Sequence, residues 1–202
     1  MSVSFALTFD YLCPFARNAN EHVVAALEAG ADWDVTFTPY SLAQGHVEEG
    51  DVDVWDRDDP SAVSGILALE VGLAVRDEFP DRFLAVHRAL FAARHDEGRN
   101  IRDEAVLRDA LAAAGADADA VFDVVRGGEP LKRLRAEHEE NVEQHGVWGV
   151  PTFIGTDRAV FVRVLDRPGV DASGSRDKVE QVVRLVDGHP WLHEFKQATL
   201  ET

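Results

Sequence analysis

The chain has 202 residues, 46% of them hydrophobic, which suffices for a substantial core and argues against intrinsic disorder. Its 37 acidic side chains against 20 basic ones give a formal charge of -17, which repels polyanions and spares nothing for phosphate neutralisation, so nucleic acid and anionic membranes are not expected partners. No basic segment precedes the first apolar residues, no apolar run reaches about eighteen residues, and the single cysteine forbids an intramolecular disulfide, so a cytoplasmic protein is expected.

Val3 to Phe9 reads as a strand, broken by Asp10-Tyr11-Leu12-Cys13-Pro14. Phe15 to Ala29 follows at helical spacing, with Phe15, Ala19, Val23, Ala26 and Leu27 apolar. Pro14 suits the first helical position, where its missing N–H is not needed, and Gly30 suits the C-terminal cap. Trp33 to Tyr40 alternates apolar and polar residues and predicts a second strand, closing a βαβ unit. From Ser41 the pattern becomes a polar loop with Asp51, Asp53, Asp56, Asp58 and Asp59, expected to be a solvated connection because it lacks the glycine and terminal glutamate of a calcium loop.

Helical patterns then run alone. Ser61 to Phe79 is apolar nearly all round and predicts a buried helix, while Phe83, Leu84, His87, Leu90 and Phe91, and then Val106, Leu107, Ala110, Leu111 and Ala114, repeat at helical spacing. A last helix over Glu129 to His145 ends at Gly146. Strand patterns return at Thr152 to Ile154 and Ala159 to Val164, joined at Gly155-Thr156-Asp157, before a closing helix with Val179, Val182, Val183 and Val186 on one face and Ser175 as N-cap. An α/β unit interrupted by helices over residues 41–146 is the expected organisation.

Cys13 falls at the junction of the first strand and helix, where unpaired backbone N–H groups and the helix dipole favour negative charge on sulfur. With Arg17 one turn away, its thiol is expected to ionise more easily than free cysteine; the bland reading is a buried, inert cysteine. Open α/β sheets carry their sites at such strand ends. Tyr11, Phe15 and Trp148 are candidates to wall an apolar site, although aromatic residues also serve as plain core. Leu131, Leu134, His138, Val142 and His145 share one helical stripe, so His138 and His145 are each candidates for a proton carrier or thiol contact near Cys13, set against a hydrogen-bonded core histidine or one at the stripe's edge. His189 and His193 are interrupted by Pro190 and lack a third ligand, so no metal is expected, and no glycine-rich phosphate loop suggests a nucleotide cofactor.

Phe9-Asp10-Tyr11-Leu12-Cys13-Pro14-Phe15 resembles the active-site entry of the DsbA-like thioredoxin-fold oxidoreductases, which read Asp-x-x-Cys-Pro-aromatic-Cys. Gly146-Val147-Trp148-Gly149-Val150-Pro151-Thr152-Phe153 resembles the loop in which that family places a cis-proline opposite the active-site sulfur. The resemblance implies an α/β thioredoxin-like fold with a large all-helical insertion: residues 1–40 and 147–202 form the thioredoxin-like domain and 41–146 the insertion. It implies Cys13 as the catalytic residue, Pro14 beside it, and the backbone of Val150 before a cis Pro151 as an element pairing with an extended thiol substrate. The family's cytoplasmic branch includes 2-hydroxychromene-2-carboxylate isomerases, kappa-class glutathione transferases and mycothiol-dependent reductases, and His189-Pro190-Trp191-Leu192-His193-Glu194-Phe195-Lys196 is similar to the closing segment of the last group.

Ala16 stands where dithiol members have their second cysteine, so a mixed disulfide on Cys13 has no internal resolving sulfur. The expectation is therefore a monothiol oxidoreductase with mycothiol or glutathione as co-substrate and a small-molecule or disulfide substrate. A thiol-dependent isomerase or transferase and a redox-inactive binding protein are the alternatives, and a homodimer is left open.

Overall fold

The computed structural model describes residues 3–164, 166–169 and 173–189. Its sheet has four strands in the order β2-β1-β3-β4: β1 (Val3–Phe9), β2 (Trp33–Pro39), β3 (Thr152–Ile154) and β4 (Ala159–Phe161). β1 pairs in parallel with β2, Val3 opposite Trp33 through Phe9 opposite Pro39, and antiparallel with β3, Leu7 opposite Phe153. β3 turns back into β4 through Gly155, whose N–H donates to Arg158 O at 2.8 Å. Being central, β1 is buried on both faces at its C-terminal end, with Leu7 and Phe9 fully enclosed.

Helix α1 (Pro14–Glu28) joins β1 to β2 as the crossover a parallel pair requires. It opens with proline in its first turn and ends as the sequence indicates: Gly30 has φ +88°, its N–H donates to Leu27 O, and the Ala31 N–H donates to Ala26 O. The inserted helices are α2 (Leu42–Gly45), α3 (Ile66–Glu78), α4 (Pro80–His95), α5 (Glu104–Ala113), α6 (Ala118–Arg126) and α7 (Glu129–His145); α8 (Ser173–Gly188) follows β4 and packs on α1. α3 is the hub of the insertion, its Ile66, Leu69 and Leu73 fully buried against α4 to α7. Arg76 on α3 ties the insertion to the sheet, donating from Nη1 to Phe37 O and from Nη2 to Glu137 Oε1 at 2.6 Å, while Asn141 Nδ2 donates to Pro39 O.

Several elements differ from the sequence expectation. α3 begins at Ile66 rather than Ser61, because Gly65 takes a left-handed φ of +87° and Ser61 belongs to a separate 3-10 turn. A side chain at Gly65 would press on Leu12, within 2.8 Å of Cδ1, so this glycine lets the insertion approach the turn before Cys13. α6, with Val121, Phe122 and Val125 on its buried face, is an element the sequence reading did not include; Asp117 caps it, its Oδ1 accepting from the N–H groups of Asp119 and Ala120. β4 stops at Phe161 rather than Val164 beside a three-residue β3. The aspartate-rich connection is not simply solvated: Val54 and Trp55 are buried, and Asp53 accepts from Gln44 Nε2 at 2.7 Å. Ser175 is not the N-cap of α8 but lies buried inside it, its Oγ 2.9 Å from His22 Nδ1. Among the described residues, no helix is long and apolar enough to cross a membrane.

Candidate active site

Cys13 is the N-cap of α1, with φ -91° and ψ 118°. Two local bonds set it there, its N–H donating to Asp10 O and its C=O accepting from the Arg17 N–H, each at 3.0 Å. The Ala16 N–H, an orphan donor of the first helical turn, donates to Sγ at 3.4 Å. On its other side the thiol donates to Val150 O at 3.4 Å, and the Val150–Pro151 peptide is cis. That loop is held to the sheet by the Thr152 N–H donating to Thr8 Oγ1 at 2.8 Å and the Val162 N–H donating to Pro151 O at 3.1 Å.

The expected depression of the thiol's pKa is not found. Burial pushes the Cys13 thiol up and outweighs the Ala16 and Phe15 N–H groups that favour the thiolate; Asp10 raises it further and Arg163 opposes. Donation to Val150 O also favours the protonated form, since ionisation would set a thiolate against a carbonyl oxygen. Arg17 is not the opposing cation, because its guanidinium turns away to Glu21 Oε1 at 2.9 Å and to Asp96 Oδ1.

A family model described as DSBA-like thioredoxin domain matches residues 6–171. The chain belongs to that family. Solved structures with a similar fold include ScsC from Proteus mirabilis, 21% identical with a TM-score of 0.57 over 91% of this chain and 82% of that one. The thiol-disulfide exchange protein alpha-DsbA2 from Wolbachia pipientis is 17% identical with a TM-score of 0.58 over 90% and 82%. BdbD from Bacillus subtilis is 14% identical with a TM-score of 0.60 over 90% and 85%. No curated protein matches the chain in sequence.

Within this DSBA-like domain the other sequence candidates separate into two groups. Pro14 is exposed at the start of α1, Phe15 is half-buried, and Trp148 is 68% exposed with its ring 4.5 Å from that of Phe161. These lie at the helix start and the cis-proline loop. Tyr11 does not wall an open site: it is fully buried, its hydroxyl 2.9 Å from His87 Nδ1 and its ring against Phe9 and Phe91. A side chain at Gly72 would collide with that hydroxyl, so α3 closes over it. His138 is also core: its Nδ1 accepts from the Ser41 N–H at 3.1 Å, its ring packs against Tyr40 and Trp55, and burial holds its pKa down to about 4. It is neutral near pH 7, makes no hydrogen bond to Cys13, and does not carry a proton to it in this arrangement. Val142 and His145, placed on the same apolar stripe, are exposed instead. Of the closing segment His189 to Lys196, residues 190–196 lie outside the described residues, so the His193 position does too.

Three residues around the sulfur had no role assigned from sequence. Asp10 was visible only as a letter of the Asp-x-x-Cys motif; buried, it accepts from the Leu12 N–H at Oδ1 and the Leu42 N–H at Oδ2, both at 2.8 Å, and burial pushes its carboxyl up to about 6. It thereby ties the turn before Cys13 to the first inserted helix. His95 Nε2 donates to Tyr11 O at 3.0 Å, holding the same turn from α4. Arg163 carries no sequence signal; it reaches the site because the β3–β4 hairpin returns beside the cis-proline loop.

Proposed function

We propose that the protein is a monothiol thiol–disulfide oxidoreductase in which Cys13 is the nucleophile and a low-molecular-weight thiol, glutathione or mycothiol, resolves it in the cytoplasm. The observation that carries this reading is the position of the lone thiol, its sulfur accepting from the Ala16 N–H and facing the cis-proline loop across the Val150 carbonyl. In the first half-reaction the Cys13 thiolate attacks one sulfur of a small disulfide; a Cys13–S bond forms, the substrate's S–S bond breaks, and the departing thiolate takes up a proton. Cys13 is oxidised and the departing sulfur reduced. Ala16 offers no second thiol, so a further small thiol attacks the mixed disulfide and releases Cys13. Pro14, Phe15, Trp148, Val150 and Pro151 form the docking surface in this reading.

Intact mass spectrometry after incubation with oxidised glutathione tests it. The wild type is expected to carry one adduct that reduced glutathione removes, and Cys13→Ser none. Absence of an adduct on the wild type even above pH 9 would sink the proposal. One observation favours a second reading, that of a thiol-dependent isomerase or transferase: the thiol is protonated and donates, as needed to hold the thiolate of a bound substrate by hydrogen bonding. Such an enzyme turns over without any mixed disulfide on Cys13, which the same mass measurement during turnover detects.

A further inference from the structure

We propose that Arg163 binds the carboxylate of an anionic small thiol or disulfide and so selects the substrate of Cys13, an inference resting on Cys13 being the nucleophile. The guanidinium lies 5.5 Å from the ring centroid of Phe15, two residues beyond Cys13, and 5.8 Å from that of Phe161. Phe161 in turn stacks on the exposed Trp148, so one row runs from the helix start through the cation to the cis-proline loop. The backbone just before Arg163 is fixed against that loop by the Val162 N–H bond to Pro151 O.

Among the described residues Arg163 has no acidic partner, as is also true of Arg57, Arg82, Arg94, Arg102 and Arg158; what sets it apart from these is its place against Phe15 and within the field of the only thiol. Arg17, Arg76, Arg108, Arg135 and Arg167 each meet at least one carboxylate. Arg163 is exposed and meets aromatic faces instead, with no carboxylate or carbonyl bonded to it among the described residues. In a chain with 37 acidic side chains, a guanidinium with no carboxylate partner among the described residues, beside the only thiol, leaves a planar fork open to a ligand's carboxylate. The aromatic faces restrict its orientation without neutralising its charge. Its field already reaches the sulfur, since it opposes the rise of the Cys13 pKa. The fitting occupant has its sulfur at Cys13, its body along Phe15 and Trp148, and a carboxylate at Arg163. The surrounding negative charge of the protein disfavours such an anion everywhere else, which makes this cation the selective element.

The test compares the rates at which Cys13 reacts with two small aromatic disulfides, the dicarboxylate dithiobis(nitrobenzoate) and the neutral dithiodipyridine. Both rates depend on the same thiolate population, so their ratio cancels any effect of Arg163 on the thiol's ionisation. Arg163→Gln is expected to lower the anionic-to-neutral ratio about five- to tenfold, Arg163→Lys to keep most of it, and added salt to move the wild-type ratio toward that of the Gln variant. A ratio unchanged in Arg163→Gln overturns the inference while leaving Cys13 as nucleophile. Should the wild type react with neither probe, the nucleophile reading fails, and Arg163 is judged by S-methylglutathione binding to Cys13→Ser with and without Arg163→Gln. Binding weakened about fivefold or more by the second substitution supports the carboxylate site, and equal affinities overturn it.

Discussion

Along α1, Arg17 and Glu21 are enclosed in a network where every charge is answered, whereas Cys13, one turn earlier, sits among charges that are not. Glu21 accepts from Arg17 Nε at 2.9 Å and from Arg167 through both carboxylate oxygens, and Asp96 accepts from both arginines. Around Cys13, among the described residues, Asp10 has backbone N–H partners, Arg163 meets aromatic faces and no carboxylate, and the thiol donates a hydrogen bond to a carbonyl. The paired network welds α1, α4 and the 166–169 segment together. The unpaired groups leave electrostatic capacity for something that arrives. Opposite charges spent on each other stabilise a fold, while charges left over near a nucleophile act on a substrate.

The sharpest way to break this comparison is Glu21→Gln, which removes the anion between two guanidiniums and leaves buried Arg17 dependent on Asp96. A loss of about 3 kcal/mol in urea unfolding is expected. A variant as stable as the wild type would show that the network is ornamental.

Asp10 sharpens the other side. Its carboxyl is raised from the ordinary 3.8 to about 6, so the folded protein binds this proton more tightly than the unfolded chain does. Its contribution is therefore complete below about pH 4 and lost as pH rises through about 6. Relative to Asp10→Asn, the wild type is expected to lose roughly 2–3 kcal/mol between about pH 4 and pH 7. A difference in unfolding free energy that stays flat across that window would contradict the buried, unpaired state of Asp10.

The smallest effect concerns the thiol itself. Iodoacetamide alkylation of Cys13 is expected to show a midpoint above the ordinary cysteine value of about 8.5, because burial and the Val150 carbonyl outweigh the helix-end donors. Asp10→Asn should move that midpoint down by removing the nearby anion. A wild-type midpoint below the ordinary value would restore the helix terminus as the dominant influence.

Elements with strong local signals were legible before any coordinates. The β1 run, the Pro14 entry and Gly30 exit of α1, and the full span of α7 follow from periodicity and capping, which neighbouring residues decide. α6 does carry a local signal, the Asp117 cap followed by Val121, Phe122 and Val125 on one buried face, and was passed over within the run of helices; the start of α3 was misplaced because an apolar run hides the backbone reversal at Gly65. Tyr11 and His138 illustrate a different failure. Both are aromatic or histidine residues near a motif, and sequence spacing cannot say which way such a ring points; α3 and α4 enclose the first, while Tyr40 and Trp55 enclose the second.

By itself the sequence determined that a lone thiol would cap a helix directly after the first strand, because proline placement, helical period and the orphan N–H groups of a first turn are properties of one short segment. Its likeness to a known pattern also anticipated the partner loop at Val150 and Pro151. Only the tertiary structure decided how tightly that thiol holds its proton and which cation stands beside it. Both depend on groups far along the chain, the Val150 carbonyl 137 residues away and the Arg163 guanidinium beyond it, and on the depth to which the packed helices bury the sulfur. A helix dipole is local, but desolvation and through-space charge belong to the assembled fold.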